Sequence, residues 1–179
     1  MYNQEEYITR LIDEARKIVK QEEADLNSLN KLLSRKSLID IAQWHDDKPY
    51  TRICLYEDTE FELILICWKA LSKTAVHNHN EQNCWVFFFD SDFQEVIYCQ
   101  EGKKTRDIKK VNKGGISYMK DKNKCHSLHN LSDAPVMTLH LYNAPIKSCE
   151  ILNHNDNNNC LGWADLKYDV KLDYEMCTS

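Results

Sequence analysis

What most constrains this chain is a series of short apolar segments that starts just after Pro49. Thr51–Tyr56, Phe61–Lys69, Cys84–Phe89, Phe93–Tyr98, Gly115–Met119, Val136–Tyr142 and Ser148–Leu152 are rich in β-branched and aromatic residues. Polar links such as Glu57-Asp58-Thr59 and Asp90-Ser91-Asp92 separate them, so each reads as a strand. Many short strands at this spacing predict a sandwich or a closed barrel. With only four glycines and three prolines, the turns must rely on Asp, Asn, Ser and Lys. The asparagine-rich segment Asn153–Asn159 reads as a surface loop.

Ahead of Pro49 the period changes. Ile8, Leu11, Ile12, Ala15, Ile18 and Val19 recur at steps of three and four, the apolar face of a helix over Glu5–Val19. A second short helix is predicted with Asp25 as N-cap and Leu26, Leu29, Leu32 and Leu33 as its apolar face, and a third over Ser37–Trp44. The expected fold is mainly β, a small β-barrel or jelly roll preceded by N-terminal α-helices. One domain spans 1–179, with helices in 1–48 packed on a barrel formed by 49–179. A length of 179 residues and 42% hydrophobic content suit a single core.

Composition excludes several function classes. A net charge of -5 argues against an electrostatic nucleic-acid binder, and the basic cluster Lys103-Lys104-Thr105-Arg106 with Lys109-Lys110 reads as a solvated hairpin. No stretch approaches the ~20 apolar residues of a membrane-spanning helix. The acidic start, Met1 to Glu6, lacks the apolar core of a secretory signal. The eight cysteines are scattered without a Cys-x-x-Cys pair, which fits reduced thiols in the cytoplasm better than disulfides or a four-cysteine zinc site.

The chemistry concentrates around His77-Asn78-His79. Histidines at i and i+2 of an extended segment share a face, so both imidazoles can reach one metal ion at the mouth of a small barrel. Downstream, His126 and His129 lie three apart, so at most one of them can join. Thr138, His140 and Tyr142 share one face of a strand whose other face is Met137, Leu139 and Leu141. Three polar side chains there need hydrogen-bond partners if the face is buried, whereas a solvent-facing strand would need none. Of five arginines, Arg52 alone lies in a predicted strand, and a guanidinium fork can grip a carboxylate with two bonds.

These residues resemble a known family. His77-x-His79 is similar to the first metal motif of cupins, but Cys84 stands where a glutamate ligand usually follows. That cysteine resembles cysteine dioxygenase, a cupin-superfamily thiol dioxygenase. Tyr50-Thr51-Arg52, Leu65-Ile66-Cys67-Trp68, His126, and Leu139-His140-Leu141-Tyr142-Asn143-Ala144-Pro145 followed by Cys149 share the likeness. It covers about a hundred residues, Tyr50 to Cys149, in the family's order.

The resemblance implies a cupin-type barrel and a set of roles. His77, His79 and His126 would hold Fe(II), leaving His129 out. Cys84 and Tyr142 would be the pair that family members join by a thioether bond. Arg52, with Tyr50 beside it, would hold the substrate carboxylate, and His140 and Thr138 would form a hydrogen-bonded relay to the tyrosine hydroxyl. The implied reaction converts L-cysteine and O2 to cysteine sulfinic acid, in a cytoplasmic monomer. Three neutral imidazoles leave open positions on Fe(II) and suit an anionic thiolate. Two oxygens on sulfur correspond to the sulfinic rung of thiol oxidation.

The chain departs from the family in places. Lys69–Val76 lacks the glycines that usually precede the first metal histidine, so its backbone is expected to avoid glycine-only conformations. Asn83 stands where many relatives carry a histidine, Asp90-Ser91-Asp92 replaces a turn glycine, and the chain from Glu150 onward does not align. Two alternatives remain open. One is a dioxygenase for another small thiol such as 3-mercaptopropionate. The other is a non-catalytic metal-binding cupin, storing zinc through His77, His79 and Cys84.

Overall fold

A computed structural model describes residues 3–20, 26–89, 93–99, 106–120, 124–153 and 159–172. Three helices come first: α1 (Gln4–Lys20), α2 (Leu26–Leu32) and α3 (Arg35–Leu38). The strands that follow are β1 (Tyr50–Glu57), β2 (Glu62–Trp68), β3 (Val76–His77), β4 (Cys84–Phe88), β5 (Phe93–Cys99) and β6 (Arg106–Val111). They continue with β7 (Ile116–Met119), β8 (Lys124–Asn130), β9 (Val136–Tyr142), β10 (Ser148–Asn153), β11 (Asn159–Asp165) and β12 (Val170–Lys171). They form two six-stranded sheets, in the orders β12-β1-β2-β9-β4-β7 and β11-β10-β3-β8-β5-β6. All neighbours are antiparallel except β1 and β12. This is the expected jelly-roll barrel of cupin type, with helices preceding it.

Side-chain alternation gives the first sheet two buried faces. Leu63, Leu65, Cys67, Met137, Leu139 and Leu141 pack outward against Ile8, Leu11, Ile12 and Ala15 of α1. Ile64, Ile66, Trp68, Val86 and Phe88 point inward to meet Phe93 and Leu128 of the second sheet. A strand covered on both faces reads as an unbroken apolar run, which is why Leu63–Trp68 shows no polar alternation. The helix α1 starts with a reciprocal cap. The Glu6 amide donates to Asn3 Oδ1 at 2.8 Å, and the Asn3 amide donates to Glu6 Oε2 at 3.1 Å.

Several local expectations change. The third helix occupies Arg35–Leu38 rather than Ser37–Trp44. The Ile41 and Ala42 amides close onto Leu38 O, and Trp44 Nε1 donates to Trp68 O at 2.9 Å, holding the chain against the end of β2. Among residues 69–76, Leu71 adopts φ 55° despite its side chain, so this stretch does enter the left-handed region without a glycine. Strands β3, β6, β8, β11 and β12 were not among the apolar segments. They are very short or carry polar residues, so pairing with neighbours defines them more than composition does. The basic segment pairs as expected from Arg106 onward, β6 against β5 with Lys109 and Lys110 exposed. Asp25, the turn at Asp90-Ser91-Asp92, residues 101–105 and the centre of the asparagine-rich loop lie outside the described residues. Among the described residues, no helix is long and apolar enough to cross a membrane.

Candidate metal centre

Two strands and the turn that follows one of them bring three imidazoles together. His77 lies on β3, paired with β8 in a register that sets it directly opposite His126. His79 follows two residues after His77, and the chain then reverses at Asn80 and Glu81, whose φ values are 47° and 70°. The Gln82 amide closes that turn on His79 O at 2.9 Å. Left-handed non-glycine residues cost about 1–2 kcal/mol each, less for Asn, so the turn stores strain beside the site. One nitrogen from each of His77, His79 and His126 lies within 4.8 Å of the other two. His129 is outside this cluster, its Nε2 2.8 Å from Ser127 Oγ. Cys84 is not in the cluster either.

The hydrogen bonds orient these rings with Nε2 inward. His77 Nδ1 lies 3.0 Å from Ala75 O, and His126 Nδ1 lies 2.8 Å from Glu95 Oε1, so both rings carry their proton on Nδ1. Glu95 is fully buried, and its other oxygen accepts from Ser117 Oγ at 2.5 Å. Burial alone would raise the Glu95 carboxyl, but the hydrogen bonds from His126 and Ser117 help outweigh it and hold it below its usual range. A carboxylate behind a ligating histidine fixes ring orientation and raises the basicity of the inward nitrogen. Nothing in the sequence reasoning named Glu95 or Ser117. The available signal was an acidic residue at the parity of Phe93 and Ile97 in an apolar strand.

The donor set fits a metal ion. His79 Nε2 lies 3.0 Å from His126 Nε2, and His79 Nδ1 is buried without a partner. Loss of solvent, reinforced by the neighbouring rings, pushes His77 down to about 3 and His79 well below the usual imidazole range. The His77 and His79 rings are therefore neutral at physiological pH, the protonation state that ligation requires. Three imidazole nitrogens converging without any carboxylate in the cluster form a facial set suited to a borderline divalent ion.

Next to the cluster, Cys84 on β4 stands directly opposite Tyr142 on β9. Both are buried, with the thiol and the phenol close enough to influence each other's protonation. Burial raises both groups, so thiol and phenol are protonated. The Tyr142 ring also meets the His79 ring edge-on, centroids 5.5 Å apart. Further along β9, Trp68 Nε1 donates to Thr138 Oγ1 at 2.8 Å, and Thr138 Oγ1 lies 2.8 Å from His140 Nε2. With the indole already donating to it, the threonine hydroxyl gives its own proton to His140 Nε2. Burial keeps His140 neutral, its proton then sits on Nδ1, and that atom has no partner. The His140 and Tyr142 rings are nearly parallel, with centroids 6.4 Å apart.

A cavity of ≈ 380 Å³ opens onto this constellation. Its walls include Tyr50, Arg52, His77, His140, Tyr142 and Cys149. Burial raises the Cys149 thiol to about 11, so it is a neutral wall. Arg52 is half-buried, and its Nε and Nη2 are buried without a partner. Those two N–H groups form one edge of the guanidinium, the fork that receives a carboxylate. One wall comes from Ala164, Asp165, Leu166, Lys167 and Asp169, in the part of the chain that sequence comparison with the family left unaligned.

The fold and this site define a metal-binding jelly-roll barrel with a polar cavity beside three histidines. The particular family follows from comparison. A family model described as "Cysteine dioxygenase type I" matches residues 3–155, and the chain belongs to that family of dioxygenases. Among curated proteins, the chain is similar to cysteine dioxygenase type 1 of Danio rerio, 25% identical over 75% of this chain and 72% of that protein. It is also similar to the Homo sapiens protein of the same name, 24% identical over 58% of this chain and 56% of that protein. The match to the human protein thus spans little more than half of its length. Among solved structures, an RmlC-like cupin protein from Desulfovibrio desulfuricans superposes with a TM-score of 0.44 at 16% identity, covering 58% of this chain and 90% of that one.

Proposed function

We propose that the protein is a thiol dioxygenase that converts L-cysteine and O2 to cysteine sulfinic acid with Fe(II) held by His77, His79 and His126. The observation that carries this reading is the unpartnered Nε/Nη2 edge of Arg52 in the same cavity as His77. A small thiol that also bears a carboxylate can span the two. Bound iron would supply Lewis acidity toward the thiol and a place for O2 to react.

The chain's own residues do the rest. Arg52 binds the carboxylate with two parallel N–H bonds, and the Tyr50 ring, 5.1 Å from Trp68, fills the space beside it. Glu95 holds His126 with its Nε2 inward. The hydroxyl of Thr138, itself fixed by Trp68, holds His140 with its Nδ1–H available to the cavity. Tyr142, opposite Cys84 and edge-on to His79, adds its phenol to the same cavity wall as Arg52. Their juxtaposition supports a thioether link between the Cys84 sulfur and the Tyr142 ring. Ile66, Leu128, Ile146 and Ile151 line the remaining wall and exclude bulk water.

The absence of a cysteine ligand in the three-histidine cluster favours this reading over thiolate zinc storage. Cys54, Cys67, Cys84 and Cys149 are buried thiols outside any disulfide, which supports a reducing compartment such as the cytoplasm.

Oxygen uptake by the Fe(II)-loaded protein with L-cysteine, with the product identified by mass, tests the proposal. One O2 consumed per sulfinate formed is expected. Turnover of 3-mercaptopropionate but not L-cysteine would move the substrate within the chemistry, and no uptake with any thiol despite bound iron would overturn it.

A further inference from the structure

Arg52 lies on a strand that the rest of its sheet supports from one side only. Across β2, residues Tyr50–Cys54 are paired in continuous register, Arg52 opposite Ile66. On the open side the support is β12, two residues long, in parallel register with Ile53 and Cys54. A β-bulge between Cys54 and Tyr56 interrupts β1 just beyond. Bulges bend a strand and re-aim its side chains, so Arg52 sits where the backbone direction is least constrained by the sheet.

Asp169 closes that gap. Its amide donates to Arg52 O at 2.9 Å, and its Oδ2 accepts the Arg52 amide at 2.8 Å. Both outward backbone groups of Arg52 are therefore held by a single residue. The other carboxylate oxygen, Oδ1, binds Lys48 Nζ, which anchors the start of the same stretch. Three residues on, the Leu172 amide donates to Cys54 O at 3.0 Å. Just before, Tyr168 reaches inward and its hydroxyl donates to the buried carboxylate of Glu62. Leu166, Lys167 and Asp169 meanwhile line the cavity that holds the Arg52 fork. Tyr168, Asp169 and Leu172 lie beyond residue 155, where the family match ends.

We propose that Asp169 is a positioning residue for Arg52, and that the segment Leu166–Leu172 sets how far the guanidinium fork reaches into the cavity and so how tightly a carboxylate-bearing thiol is held. The fork must meet a carboxylate whose sulfur is already committed to the histidine end. A rotation of the Arg52 backbone by a few degrees would misplace both of its bonds at once, because the side chain is long and the fork is rigid. Asp169 has no cavity contact with the reacting sulfur to offer. Its effect passes through the Arg52 backbone, which separates it from a binding group.

The inference rests on the reading of Arg52 as the carboxylate site, and the test separates the two. Backbone hydrogen exchange at the Arg52 amide is measured in Asp169→Ala, Asp169→Asn and the parent, alongside steady-state kinetics of the Fe(II)-loaded proteins with L-cysteine. Asp169→Ala is expected to expose the Arg52 amide to faster exchange and to raise KM for L-cysteine about tenfold with kcat nearly unchanged. Asp169→Asn keeps an acceptor oxygen for the Arg52 amide but gives up the Lys48 anchor, and is expected to restore the exchange rate and most of the KM. If Asp169→Ala does not fold, Lys48→Met frees the carboxylate from its anchor and should give a smaller KM rise of the same kind. Unchanged Arg52 exchange and KM in a folded Asp169→Ala, or an equal loss in kcat and KM that Asn does not rescue, would overturn the proposal. If the parent turns over no thiol, the dioxygenase reading fails, while the exchange rates still decide whether Asp169 holds Arg52.

Discussion

Cys84 and Tyr142 occupy directly opposed positions on β4 and β9, both buried, with the Tyr142 ring edge-on to His79. Opposed residues on antiparallel strands keep their Cβ atoms ~4.5–5.5 Å apart, so a sulfur on one strand rests near the ring edge on the other. A thioether bond could form there with little backbone movement: the thiol S–H and one ring C–H would be lost, and O2, as the two-electron oxidant, would leave as H2O2. After iron loading and turnover, peptide mapping is expected to show a Cys84–Tyr142 linked species two hydrogens lighter than the separate peptides. Recovery of the separate peptides alone would refute the link.

Glu95 is the buried partner of His126, so its removal should loosen the metal. Glu95→Ala leaves His126 Nδ1 without its acceptor and is expected to weaken metal binding roughly 10- to 100-fold. Competition with a chelator of known affinity measures this directly. An unchanged affinity in a folded variant would assign Glu95 a purely structural part.

Arg52→Ala removes the fork from the cavity. The expected loss in kcat/KM for L-cysteine is ~1.5–3 kcal/mol, the worth of hydrogen bonds to a charged group. A thiol without a carboxylate, such as cysteamine, should lose much less. Equal losses for both thiols would argue that Arg52 supports the barrel rather than the substrate.

Asp169 gives the fold an acid-sensitive contact. Burial alone would raise its carboxyl, but the hydrogen bonds from Lys48 and from the Arg52 amide outweigh this and hold it below its usual value. A depressed carboxyl contributes stability that is complete above the unfolded-state value of ~3.9 and lost as pH falls through the lower folded value. The stability advantage of the parent over Asp169→Asn in urea unfolding should therefore shrink below about pH 4. A gap that is constant from pH 7 to pH 3 would contradict the assignment.

Leu139 is fully buried between β2 and β4 on the face toward α1. Leu139→Ala is expected to cost ~2–5 kcal/mol, through lost burial and an unfilled cavity. The urea midpoint is the readout, and a cost under 1 kcal/mol would mean that α1 collapses onto the space.

The sequence by itself determined the helix-then-strand order, the amphipathic α1 and the shared face of Thr138, His140 and Tyr142, though not that this face points inward. These follow from side-chain period, a property of each segment alone. It also determined that His77 and His79 share a face, since both lie on one short extended stretch. It did not decide between His126 and His129 without the family likeness, because each ring's direction depends on how β8 pairs with β3 and β5. Only the tertiary structure placed Glu95 behind His126, Trp68 beside Thr138, and Asp169 across the open edge of Arg52. Those contacts join residues 31, 70 and 117 positions apart. No local pattern encodes such a distance. It is set by which strands meet across the sheets and by the need of each buried polar group to find a partner there.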